Sequence, residues 1–114
     1  MTLWEDAALM VAPGLRPARY LSIQERYEEW RGTADGQEVY HQVVERAHRL
    51  RDRGWAHFGI GALWESIRYD RAVRVGPDAL GFKLNDHFRS RMAREVMERE
   101  RDLSAFFELR SLRA

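Results

Sequence analysis

Val39, Tyr40, Val43, Val44, Ala47 and Leu50 recur at the 3.6-residue period of an α-helix. A strand would scatter these six residues over both of its faces, whereas a helix gathers them into one stripe. The segment therefore commits the chain to an amphipathic helix that needs apolar partners to cover it. Asp35 and Glu38 have capping-box spacing at its start. Gly54 stands where a helix reaching Arg53 needs a residue free to take positive φ. Arg46, Arg49 and Arg53 occupy the opposite face.

The covering partners lie on both sides in sequence. Ser22 and Glu25 form a capping pattern that opens a short helix to about Trp30, carrying Ile23, Tyr27 and Trp30. Residues 32–36 read as a loop. Beyond Gly54, residues 57–60 are the best short strand, and Gly61 opens a helix with Leu63, Trp64 and Ile67 inside, ending near residues 73–75. Gly76, Pro77, Asp78 and Gly81 mark a turn, after which residues 82–84 form a second strand able to pair with residues 58–60. Asn85 or Asp86 caps a helix to about Arg101, with an apolar arc of Phe88, Met92, Ala93, Val96 and Met97. Asp102 caps a last helix bearing Leu103, Phe106, Phe107 and Leu112.

Residues 1–21 read as an irregular arm, broken by Pro13, Gly14 and Pro17. Its Trp4, Leu9, Met10 and Val11 either dock on the body or serve a partner. The expected fold class is mainly α: a single helical domain over residues 22–114, of four to five helices with a short two- or three-stranded β element. That order is compatible with a distorted winged-helix or helix-turn-helix arrangement.

A chain of 114 residues can bury roughly two-thirds of its unfolded surface, enough for one core. The chain has no cysteine, which excludes disulfides and thiolate metal sites. No basic n-region precedes a long apolar run, and no stretch approaches the ~18 apolar residues of a membrane span. The expectation is a soluble cytoplasmic protein with no membrane association.

Charge is unevenly divided. Residues 1–45 carry a balance of −4 and residues 46–114 a balance of +5, within a net charge of +1. The segment 83–94, K-L-N-D-H-F-R-S-R-M-A-R, concentrates polar groups at a helix start. Such an end offers free N–H groups and partial positive charge to phosphate. At ~100° per residue, His87, Arg91 and Arg94 share one face. Arginine forks pair with guanine edges and phosphates, and asparagine with adenine. Lys83, Asn85, His87, Arg91 and Arg94 are thus candidate nucleic-acid contacts. Glu95 and Glu98 share that face, so a solvated surface laced with ion pairs accounts for the same pattern.

Arg89 falls between Ala93 and Val96 on the wheel, inside the apolar arc. It needs either an acid such as Glu65 or Asp70 beside it, or a partner to project into. Trp30 and Trp64 sit at core spacing, while Trp4 and Trp55 are the tryptophans free to face a partner. Trp4, Met10, Trp55 and Arg89 are therefore candidate partner-binding residues. His41 and His48 lie two turns apart, too far to share an ion easily, so no metal is expected. Paired strands would bring His57 and His87 together, but a surface position suits each better. No nucleophile elbow, Walker loop or dinucleotide fingerprint is present. Neither catalysis nor a cofactor is expected.

The blocks F-G-I-G-A-L-W-E-S-I-R-Y-D (58–70), G-F-K-L-N-D-H-F-R-S-R-M-A-R (81–94) and D-L-S-A-F-F-E-L-R (102–110) resemble a family of small uncharacterised proteins encoded by phages, prophages and bacteria. The resemblance spans residues 22–112. Its relatives carry an asparagine-rich turn where this chain has Asp86 and His87. The resemblance implies a phage or mobile-element setting and transfers no activity. Together these readings lead to a non-catalytic, phage-type accessory or regulatory protein bound to duplex DNA. The alternative is a protein-binding module, a small inhibitor or adaptor docking on a host protein. A homodimer is compatible with either.

Overall fold

A computed structural model describes residues 21–77 and 84–108. Among the described residues four α-helices follow one another: α1 (Ile23–Arg31), α2 (Ala34–Asp52), α3 (Ile60–Val75) and α4 (Arg89–Arg99). Single 3₁₀ turns, Asp86–Phe88 and Arg101–Leu103, enter and leave α4.

Local chemistry places the helix ends. The Ser22 hydroxyl accepts from the Glu25 N–H at 3.1 Å, and the Glu25 carboxylate accepts from the Ser22 N–H at 3.2 Å, closing the expected capping box. α2 starts earlier than its sequence pattern implies. Thr33, not Asp35, is its N-cap, with its hydroxyl accepting from Gly36 N–H at 3.1 Å. The connection thus shrinks to Gly32 and Thr33. The Asp35 carboxylate turns inward and accepts from Trp30 Nε1 at 2.8 Å and Arg71 Nη2 at 2.7 Å.

At the far end of α2, Gly54 takes φ +104°. Its N–H donates to the Arg51 carbonyl at 2.9 Å, and the Trp55 N–H donates to the Leu50 carbonyl at 3.1 Å. This is a complete Schellman motif, so the Gly54 turn also sets where Trp55 emerges.

The apolar stripes meet in one core. Val39, Val43 and Ala47 of α2, Leu63, Trp64 and Ile67 of α3, and Met92, Ala93 and Val96 of α4 are all buried. Leu103 and Phe106 close it from below. An aromatic cluster crosses the α1 side: Trp30 stacks on Phe88 at 5.1 Å, and Trp64 meets Trp30 edge-on at 6.3 Å.

The expected β element is not formed: among the described residues there is no strand and no sheet, hence no wing. A lone parallel bridge joins Phe58 to Phe107, with the Phe58 N–H donating to the Phe106 carbonyl at 3.0 Å. The physical reasons are local. Ile60 is the first residue of α3 and is buried there, which shortens the segment available for pairing. The Leu84 carbonyl accepts from Arg68 Nη2 at 2.7 Å, so a guanidinium takes the bond a ladder would have used. Phe82 and Lys83 lie outside the described residues.

The last predicted helix is also replaced, up to residue 108, by a 3₁₀ turn and an extended run. Asp102 engages His48 Nε2 at 2.7 Å instead of capping a helix. Phe106 and Phe107 are buried side by side, in edge-on contact at 5.2 Å.

Candidate functional site

Among the described residues, an α1–α4 groove and an α2–α3 groove have linings that share no residue. The first lies between α1 and α4. It has a volume of about 440 Å³ and is lined by Gln24, Tyr27, Glu28 and Arg31 from α1 and by Arg91, Arg94, Glu95, Glu98 and Arg99 from α4. Glu95 organises it. One carboxylate oxygen accepts from the Tyr27 hydroxyl at 2.6 Å; the other meets Arg31 Nε at 3.1 Å and Arg99 Nε at 3.2 Å. The Arg31 guanidinium lies 4.0 Å over the Tyr40 ring, and the Tyr40 hydroxyl donates to Glu100 at 3.3 Å. Burial, reinforced by Glu95, raises the Tyr27 phenol far above its ordinary value. Burial and then Glu100 push Tyr40 up to about 12.

The second groove lies between α2 and α3 near the Schellman turn. It has a volume of about 310 Å³ and is walled by Leu50, Phe58, Ala62 and Leu63, with Arg46, Arg49 and Ser66 at its edge. Trp55 stands next to it, 53% exposed, its ring edge-on to Phe58 at 5.5 Å. Farther along α3, Tyr69 and Val73 are exposed at 69% and 68%. With about 100° per residue, Ala62, Ser66, Tyr69 and Val73 form one outward stripe.

The candidate residues are distributed between these surfaces. Arg91 and Arg94 line the first groove together. Arg91 Nε donates to Gln24 at 3.0 Å and its Nη1 to the His87 carbonyl at 3.3 Å. Asn85 is spent locally: its side chain accepts from the His87 N–H at 2.9 Å, capping the 3₁₀ turn. The His87 side chain is exposed. Lys83, Trp4 and Met10 lie outside the described residues. Trp55 is exposed. Arg89 is half-buried, and a Cβ on Gly61 would sit 3.9 Å from its Nη1. Its expected acids are engaged elsewhere: Glu65 pairs with Arg68 and Asp70 with Arg46.

Arg46 and Arg49 sit on the second groove, so they do not extend the Arg91 surface. His57 and His87 are not brought together by strand pairing. The His57 Nδ1 contacts the Ala105 carbonyl at 2.9 Å instead. Among the described residues, no group of three potential ligands is placed to hold a metal ion. No described helix is long and apolar enough to cross a membrane.

Sequence reasoning missed three organising residues. Glu95 looked like one more solvated acid, yet its side chain is only 18% exposed. Arg71 is 5% exposed and pairs with Asp35. Arg68 ties the 58–70 block to the 81–94 block: it donates to the Glu65 and Asp86 carboxylates and to the Leu84 carbonyl. That bonding holds the Asp86 carboxyl below the usual carboxylate value. The signal available for all three was a charged residue at a core-facing helical position or at a junction between blocks.

Comparison with protein-family models, with curated proteins and with solved structures returns no match.

Proposed function

We propose that this protein acts by binding another protein, through the apolar groove between α2 and α3. The observation that carries this reading is the pairing of an open, apolar-walled groove with Trp55, an exposed aromatic set edge-on against the groove's Phe58. Aromatic residues beside a desolvated pocket are the usual anchors of protein interfaces. Arg46, Arg49 and Arg53 lie along the C-terminal half of α2; Arg46 pairs with Asp70 and Arg49 with Glu45, while Arg53 has no ion-pair partner among the described residues. The complementary partner is a segment with one bulky apolar side chain flanked by carboxylates. The apolar group fills the groove, and an acid meets Arg53 or exchanges with Glu45 and Asp70 on Arg49 and Arg46.

Duplex DNA is the less favoured ligand. Arg91 and Arg94 share their groove with Glu28, Glu95 and Glu98, which leaves its lining only one positive charge in excess and no extended basic track along a duplex. Arg46 and Arg49 lie on another groove, so one continuous basic face is not assembled.

A photoreactive residue in place of Ala62, in nuclease-treated host lysate, tests the docking reading. We expect one crosslinked protein that contacts the groove through an acid-flanked apolar segment, and its loss with Trp55→Ala. Crosslinks that persist unchanged with Trp55→Ala would refute the reading, as would crosslinks found only when nucleic acid is intact.

A further inference from the structure

We infer that the groove between α1 and α4 is a receptor for a compact phosphate group, gripped by Arg31, Arg91 and Arg99. This is independent of the docking groove, which it does not touch.

Each of the three arginines is oriented without being used up. Glu95 takes only the Nε of Arg31 and of Arg99. Among the described residues, no hydrogen bond ends on the Nη groups of either one. Arg91 is held by two neutral groups, the Gln24 amide oxygen and the His87 carbonyl, and no described carboxylate neutralises it. Among the described residues no hydrogen bond ends on its Nη2. Three forks thus line one cleft with donors in hand.

Arg31 is fixed before any ligand arrives and Arg91 is braced, while the Arg99 side chain, 65% exposed, is held only at its Nε. The Arg31 side chain is 17% exposed, fixed at Nε by Glu95 and stacked on Tyr40. Glu95 is itself pinned by the Tyr27 hydroxyl. Gln24 is braced from behind, donating to Glu28 at 3.1 Å while accepting from Arg91. Preorganised arginines lose little side-chain entropy on binding.

Charge selects the class of ligand. The lining carries four arginines against three glutamates, with Glu95 already satisfied by three donors. Forks from two helices suit an oxyanion with several acceptor oxygens. The volume of about 440 Å³ lies within the roughly 300–1,000 Å³ of small-molecule sites. The phosphate has two possible sources, a free or small-molecule phosphate and a nucleic-acid backbone.

Titration of the full chain by ¹H–¹⁵N NMR, reading backbone amides and arginine Nε groups at constant ionic strength, distinguishes them. The probes are inorganic phosphate, a nucleoside monophosphate, the unphosphorylated nucleoside and a short duplex DNA. We expect both small phosphates to shift Arg31, Arg91 and Arg99 saturably and the nucleoside to leave them unmoved. Arg91→Ala, which removes a partly exposed side chain, should weaken phosphate binding about tenfold or more. Arg49→Ala, on the other groove, should leave it unchanged. With those shifts in hand, saturation by duplex at lower concentration assigns the phosphate to a nucleic-acid backbone. Failure of the duplex to reach the same arginines assigns it to a small molecule. The inference is overturned if neither small phosphate gives a saturable arginine shift. It is equally overturned if Arg49→Ala weakens binding as much as Arg91→Ala.

Discussion

Gly36→Ala tests the corner on which the α1–α4 groove depends. A Cβ at position 36 would lie 2.1 Å from the Trp30 carbonyl oxygen, 2.7 Å from Arg31 Cα and 2.8 Å from the Trp30 carbonyl carbon. All three are backbone atoms, so no side-chain rotation relieves the clash. The Trp30 carbonyl cannot retreat freely, because it accepts from Thr33 N–H at 2.9 Å and Thr33 Oγ1 at 2.6 Å. α1 must swing away from α2, straining the Trp30–Asp35 bond and the Trp30–Phe88 stack.

Overpacking of this kind costs about 1–3 kcal/mol even where side chains can adjust, and alanine's helix preference returns at most about 1 kcal/mol. With a backbone wall, we expect a net loss of about 2–4 kcal/mol, or a Tm lower by roughly 8–15 °C. Urea and thermal unfolding followed by circular dichroism measure it directly. NMR shifts at Tyr27 and Glu95 report whether α1 has moved off α4. A Gly36→Ala protein within about 0.5 kcal/mol of the parent, the ordinary range of surface substitutions, would refute the close approach of α1 and α2 and the groove geometry built on it.

Further perturbations test the ion-pair and phenol networks. Glu95→Gln removes the shared charge of Arg31 and Arg99 and should cost about 1.5–3 kcal/mol in urea unfolding, the scale of hydrogen bonds to charged groups; a neutral outcome would mean that the network is not formed in solution. Tyr40 keeps its proton in the folded chain until about pH 12, whereas the unfolded phenol titrates near 10. Stability should therefore be intact below pH 10 and fall as pH rises through that window, and Tyr40→Phe should flatten the fall when unfolding is followed against pH. The Asp86 carboxyl is held below its ordinary 3.8 by Arg68, so its contribution is present above that pH and lost as pH falls below it; Asp86→Asn should reduce the acid dependence of Tm, and Arg68→Ala should do the same while lowering Tm at neutral pH.

Much of the helical layout was legible in the sequence. The α2 stripe, the Ser22–Glu25 box and the Gly54 stop are local signals, and each appears in the structure as its chemistry requires. The β element was misread because residues 57–60 and 82–84 are too short to declare their own structure. Burial of Ile60 within α3 and capture of the Leu84 carbonyl by Arg68 are long-range events with no local trace. Arg91 and Arg94 were found as a helical face, but the wheel could not show that α1 supplies the other wall. The roles of Glu95 and Tyr27 depend on that wall, across a sequence separation of 68 residues.

Periodicity and end chemistry, which act between residues a few positions apart, are enough to determine that this chain makes amphipathic helices and where most of them stop. Which charges are neutralised, which apolar side chains stay uncovered and which arginines share a cleft depend on helices meeting in space. Only the packing of α1 on α4 and of α2 on α3 decided those, because ion pairing and groove shape are set by distances between residues remote in sequence.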